Sequence, residues 1–150
     1  MYRRRINVRG IIYKDGKIFA QKLKHKDGMN DFWSTPGGGL DDGEDLLTGL
    51  HREMIEETGV APQTGRLMFV QQFYDGEKEQ LEFFFHITNA DDYHQIDLAS
   101  TSHGLIEVAE HGFIDPNIET ILPCNLQKFD FEKYTKSIEP VVISNELKSI

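Results

Sequence analysis

Seven carboxylates crowd residues 41–57 of this 150-residue chain: Asp41, Asp42, Glu44, Asp45, Glu53, Glu56 and Glu57. Arg52 is the one local cation that offsets them, with His51 beside it. Such a density belongs on a solvated helix face or around a bound cation, because like charges at helical spacing destabilise a helix. A helix over about 44–58 is predicted: Asp42 and Asp45 supply N-terminal acids and caps, Gly59 is a natural stop, and Pro62 follows. At about 100° per residue, Glu53, Glu56 and Glu57 then share roughly one third of the circumference. Carboxylate oxygens are hard ligands that suit Mg²⁺ or Mn²⁺. Mg²⁺ takes one or two of them and fills its other positions with water and phosphate oxygens. The face is therefore suited to holding metal against a pyrophosphate.

The residues around that face support it. Leu47, Leu50 and Met54 form an i, i+3, i+7 stripe expected to anchor the helix to a sheet. Gly49 costs the helix about 1 kcal/mol relative to alanine, which implies close packing there. Arg52 can reach back to Glu44 or forward to Glu56 and orient carboxylates without competing for metal. Gly37-Gly38-Gly39 lead toward the helix N-terminus, where backbone groups can approach a ligand and the dipole favours anions. They are not a P-loop, since no Gly-Lys-Ser/Thr follows.

From Gly38 to Val60 the chain reads GGLDDGEDLLTGLHREMIEETGV. Gly38, five residues, Glu44, seven residues, Arg52-Glu53, apolar Met54, Ile55, Glu56-Glu57, Thr58, Gly59 and apolar Val60 match the Nudix box at every defined position. The chain thus resembles the Nudix hydrolase family, of the MutT-like kind. Gly49 and Leu50 stand where alanine is common, a departure that affects packing more than chemistry. The resemblance implies that Glu53, Glu56 and Glu57 ligate Mg²⁺, with Mn²⁺ as a substitute. It implies that Glu53 or an equivalent carboxylate helps activate water, and that Arg52 and Glu44 hold the ligands in place. The carbonyl of Gly37 or Gly38 completes the coordination shell on the same reading, and Gly38 and Gly39 lie against the substrate. It also implies cleavage of a phosphoanhydride in a nucleoside diphosphate linked to another moiety: a nucleoside triphosphate, a modified nucleotide or an ADP-ribose-like compound.

Outside the box, alternation predicts a strand over 5–13, a hairpin turn at Asp15-Gly16 and a strand over 17–23. Residues 25–31 read as loop and Phe32–Thr35 as a short strand ending at Pro36. Further strands are expected over 66–74, 80–88 and 104–114, with a short helix over 117–122 and another around 131–138. This order is α+β, and with the resemblance it implies an α/β/α sandwich: a mixed β-sheet with helices packed on both faces. One domain over residues 1–150 is expected, with 126–150 as a C-terminal extension whose apolar 141–143 packs on the body or on a second subunit of a homodimer.

Several residues are open between site and scaffold. Phe32 and Trp33 either stack on a base or join the core. Arg5, Asn7 and Arg9 share one face of the first strand and either meet phosphate or ribose or are exposed strand residues. Phe83 and Phe85 alternate with Glu82, Phe84 and His86, so one set is core. Glu82, Glu107 and Glu110 are candidates for one further carboxylate, and Glu107 is best placed, as an additional metal ligand. The six histidines show no metal-ligand spacing and read as surface or core residues, His51 being the only one close to the site. Loops 25–32, 75–79 and 91–103 are the expected pocket rims.

A net charge of −9 argues against a nucleic-acid polymer or an anionic membrane as partner and favours a small nucleotide brought in with divalent cations. No apolar run approaches the length of a membrane helix, and no secretory h-region follows Arg3-Arg4-Arg5, which points to the cytoplasm. Cys124, the single cysteine, is expected as a small core residue. Two other functions compete: a non-catalytic nucleotide or ADP-ribose sensing domain, and an isomerase like the isopentenyl diphosphate isomerases. The latter use further active-site cysteine and histidine, which one late cysteine disfavours.

Overall fold

The computed structural model describes residues 3–136 and the backbone of 142–146. Its strands are β1 (Arg4–Ile11), β2 (Tyr13–Lys14), β3 (Lys17–His25), β4 (Gly28–Met29), β5 (Trp33–Ser34), β6 (Gly37–Gly39), β7 (Thr64–Tyr74), β8 (Glu79–Ile87), β9 (Val108–Ile114), β10 (Ile121–Leu122) and β11 (Val142–Glu146). Its helices are α1 (Leu46–Thr58), α2 (Gly104–Glu107) and α3 (Phe131–Lys136). One sheet runs β11-β7-β8-β1-β6 and is mixed, because β1 is parallel to β8 while β7 is antiparallel to it. The other runs β10-β5-β3-β2, with β4 and β9 also paired to β3.

Alternation along β1 and β8 explains the two cores. Val8 and Phe85 point to one face of the mixed sheet, where they pack with Leu50 and Met54 of α1. Ile11 and Phe84 point to the other, where they pack with Phe131 of α3. Helices thus cover both faces, the α+β sandwich expected. Ile11 and Ile12 are adjacent yet both fully buried, one in each core, because the chain leaves the first sheet at that point. The expected strand over 5–13 is accordingly divided: β1 stays in the mixed sheet, and only β2 forms the hairpin with β3 across Asp15-Gly16.

Three expectations are corrected here. Residues 104–107 form the short helix α2, and the strand begins only at Val108; the run is apolar but Leu105 and Ile106 are exposed on the helix. Over 117–122, a turn held by Ile118 and Glu119 N–H on the Asp115 carbonyl gives way to β10, which pairs with β5. Cys124 is exposed, since Pro123 and Leu126 take the buried positions of that segment. The C-terminal backbone pairs in parallel with β7, so this part of the extension lies on the body. Residues 137–141 and 147–150, including Ile138 and Val141 of the expected tail, lie outside the described residues.

The helix stripe is also narrower than expected. Leu50 and Met54 are fully buried, whereas Leu47 is 53% exposed and Leu46 packs against the core in its place. Leu50→Ala should therefore destabilise the fold by about 2–5 kcal/mol, and Leu47→Ala by less than about 0.5 kcal/mol. Equal losses for the two in urea unfolding would contradict this packing.

Candidate active site

Helix α1 starts one residue after Asp45, whose carboxylate accepts from the N–H groups of Leu47 and Thr48 at 3.0 and 2.9 Å. It stops at Gly59, left-handed at φ 74°, whose N–H returns to the Ile55 carbonyl. Between these caps lies Arg52. Its Nε and Nη2 donate to the two oxygens of Glu44 at 2.9 and 2.8 Å, a bidentate pair. The remaining donors reach Glu53 at 2.8 Å, Glu56 at 3.1 Å and the Gly39 carbonyl at 3.0 Å. Arg52 thus reaches both back and forward, as the spacing allows. Its hydrogen bonds, with the Asp41 N–H, hold the Glu44 carboxyl down at about 2.

The acidic face meets the glycine strand edge-on. Glu53 lies so close to Gly38 that a Cβ there would stand 2.6 Å from Oε2, so a larger residue would displace the Glu53 carboxyl group. Gly37 adopts φ +130°, and a Cβ would meet the Val8 carbonyl oxygen at 2.1 Å. That backbone aims the Gly37 N–H at Glu57 Oε2, 2.8 Å away, and Gln21 Nε2 donates to the same oxygen at 2.8 Å. Glu57 is otherwise buried, and burial outweighs these bonds: its pKa rises from 4.5 to about 7. Burial also raises Glu53, against the lowering effect of Arg52.

Glu53, Glu56, Glu57, Gly37, Gly38 and Gly39 line one cleft of about 440 Å³, with Arg5, Asn7, Arg9, Gln80, Glu82 and Glu107 around it. The odd-numbered face of β1 therefore does point to the site. Arg9 is committed within it: Nε donates to Glu82 at 3.1 Å, and Nη1 to the Gly37 and Thr35 carbonyls at 2.9 and 3.3 Å. The Gly37 carbonyl keeps its second lone pair. Glu110 is elsewhere, paired with Lys22. His51 is exposed and does not line the cleft; the histidine there is His103, with Nδ1 3.3 Å from Glu56 Oε2. His103 has no spacing signal, although it ends a loop whose polarity marks it as a rim.

A second cavity of about 240 Å³ adjoins the cleft, sharing Arg9, Phe73 and Glu82 as a wall. Phe32 lines it. Trp33 does not: its indole N–H donates to Glu119, the Lys22 ammonium sits 5.0 Å above its ring, and it packs on the core.

Among the described residues, no three His, Cys, Asp or Glu side chains close into a ready metal cage. The donor set still fits Mg²⁺, which needs few carboxylates and takes phosphate oxygens for the rest. Glu53, Glu56 and Glu57 bring carboxyl oxygens to one cleft, and at the buried Glu57 desolvation outweighs the nearby Arg9.

Linkage turns the Glu57 shift into a measurement. Its folded pKa is raised, so between pH 4.5 and about 7 the folded state binds the proton more tightly than the unfolded state. Stability should fall across that window, by on the order of 3 kcal/mol. In chelator, the wild-type Tm should drop relative to Glu57→Gln as pH rises from 5 to about 7.5, and added Mg²⁺ should restore it. A pH-independent gap between the two proteins would contradict the burial of this carboxyl.

Comparison with known proteins agrees with this geometry. Residues 1–121 match the NUDIX domain. The chain is 44% identical over 50 residues to an RNA pyrophosphohydrolase of Pelagibacter ubique, 33% of this chain and 30% of that protein. It is 37% identical over 76 residues to an 8-oxo-dGTP diphosphatase of Buchnera aphidicola, 50% of this chain and 57% of that one. These matches span between about a third and somewhat over half of the relatives' own length. The solution structure of the E. coli ORF135 protein superposes with a TM-score of 0.69 at 18% identity, covering 92% of this chain and 96% of that one, which bears on the fold. With the whole box, the sandwich and the domain match in agreement, the chain belongs to the Nudix family.

Proposed function

We propose that this chain is a Mg²⁺-dependent pyrophosphohydrolase, with Mn²⁺ as a substitute, that cleaves a phosphoanhydride in a small nucleotide. The supporting observation is the cleft itself. Glu53, Glu56 and Glu57 face Gly38 and Gly39 across a gap into which Arg5 also opens, and a base-sized cavity adjoins it. The names of the relatives, RNA pyrophosphohydrolase and 8-oxo-dGTP diphosphatase, point to the same bond type.

On this reading Glu53, Glu56 and Glu57 hold the metal, with the Gly37 or Gly38 carbonyl and Glu107 at the margin. Bound there, Mg²⁺ neutralises phosphate oxygens and lowers the pKa of water. The protein's own part is orientation. Arg52, itself anchored on Glu44, fixes Glu53 and Glu56 in one direction. Arg5 has no carboxylate partner among the described residues and is placed to meet a phosphate. Arg9 fixes the glycine strand and separates phosphate cleft from base cavity, while Phe32 offers a ring to the base.

Nucleoside triphosphates, modified nucleotides, ADP-ribose, dinucleoside polyphosphates and a 5′-triphosphorylated RNA oligomer, each with Mg²⁺, form the deciding panel, read by ³¹P NMR. Hydrolysis of a mononucleotide ahead of the oligomer is expected. Glu53→Gln and Glu56→Gln should each lower kcat at least about 100-fold while the fold persists. Normal turnover in either at saturating Mg²⁺ sinks the assignment. Tight binding in calorimetry with no product over hours would instead mark a sensing domain.

A further inference from the structure

Glu53, Glu56 and Glu57 each commit one carboxyl oxygen to the protein and keep the other. Arg52 Nη1 donates to Glu53 Oε1 and to Glu56 Oε2, and His103 Nδ1 approaches that same Glu56 oxygen at 3.3 Å. At Glu57 both hydrogen bonds fall on Oε2: the Gly37 N–H and Gln21 Nε2 each donate to it at 2.8 Å. Glu53 Oε2, Glu56 Oε1 and Glu57 Oε1 accept no hydrogen bond among the described residues. None of the three is sealed, because the unpaired side-chain atoms shut off from solvent there are Thr35 Oγ1, Gln71 Oε1 and Asn125 Oδ1. All three glutamates line the acidic cleft, so one oxygen of each is left for a ligand.

Glu57 is held differently from the other two, because its partners are buried with it. Gln21 is 1% exposed and Glu57 2%. Gln21 lies within β3, opposite Ser34 of β5 on one side and His111 of β9 on the other, and its carbonyl accepts from Ser34 Oγ. Gly37 belongs to β6 in the mixed sheet. Donors from two different sheets thus converge on a single oxygen, and the carboxyl group cannot turn without breaking both bonds. We infer that Gln21 is a positioning residue that restricts Glu57 to coordination through one oxygen and thereby favours a small octahedral cation over Ca²⁺. The inference rests on the metal-dependent reading above and deepens it. Mg²⁺ and Mn²⁺ suit single oxygens in an octahedron, whereas Ca²⁺ takes about six to eight ligands and gains from carboxylates that give both oxygens. A cleft that yields one oxygen per glutamate leaves Ca²⁺ short of ligands. The amide is suited to this task, since it donates to a carboxylate yet carries no charge to repel the arriving ion.

The test is metal binding to the whole chain without nucleotide: Mn²⁺ is titrated, followed by the EPR signal of the free ion, and then displaced with Ca²⁺. Wild type should bind Mn²⁺ at least about tenfold more tightly than Ca²⁺. Gln21→Met keeps the length of the side chain, removes the donor and lets Oε2 turn toward the ion. It should bring the two affinities at least about fivefold closer. A residue that merely supported the fold would weaken both ions alike and leave their ratio unchanged. Infrared difference spectra of wild type with and without Mn²⁺ decide alone if Gln21→Met fails to fold: the carboxylate bands that shift should show the wide separation of one-oxygen coordination. Equal binding of Mn²⁺ and Ca²⁺ by wild type, an unchanged ratio in folded Gln21→Met, or the narrow band separation of two-oxygen coordination overturns the inference, and leaves the hydrolase reading in place if the nucleotide panel is still turned over. A Mn²⁺ preference that Gln21→Met diminishes, with no compound of the panel hydrolysed by wild type, upholds the inference and removes the hydrolase reading instead. No Mn²⁺ bound by wild type overturns both.

Discussion

A single guanidinium holds the acidic site together. Arg52 sits among Glu44, Glu53 and Glu56 and spends its fork on the first, bidentately. Bidentate geometry is what arginine offers and lysine does not. Its Nη2 also reaches the Gly39 carbonyl, so the helix and the glycine strand are fixed by the same group. Glu53 and Glu56 are thereby held on one side of the helix, and Glu53 stands against Gly38, where no side chain intervenes.

Glu57 departs from this scheme. Its neighbours Gly37 and Gln21 each donate one hydrogen bond, and Arg9 adds a favourable field, yet desolvation outweighs all of them. A carboxyl held in that state favours either a proton or a metal ion. Burial thus dominates at both Glu57 and Glu53, and only at Glu53 does the Arg52 ion pair oppose it directly. Across the mixed sheet, Arg9 and Glu82 repeat the pairing motif and form a wall between the acidic cleft and the smaller cavity beside it.

The acidic helix was legible because its signal is local: Asp45, Gly59 and the i, i+3, i+4 glutamates carry their meaning within one element. The face of β1 that holds Arg5, Asn7 and Arg9 was legible for the same reason, by alternation. The cavity beside the cleft was not, since its wall arises only where β7, β8 and the segment before β6 meet. His103 was hidden likewise, because a loop far along the chain folds back and its N–H bonds the Glu56 carbonyl. Leu105 and Ile106 misled by being apolar and exposed, where an apolar run reads as a strand. Trp33 was ambiguous next to Phe32, and strand alternation sent the two rings to different surroundings.

Crystals grown with Mn²⁺ and a nucleotide whose scissile bridging oxygen is replaced by methylene offer the most direct view of the central claim. Anomalous density is predicted between the carboxylates of Glu53, Glu56 and Glu57 and the Gly38 backbone, with Arg52 drawn back onto Glu44 and the base ring against Phe32. Manganese found elsewhere, with Arg52 still joined to Glu53 and Glu56 and the nucleotide outside the cleft, would contradict it.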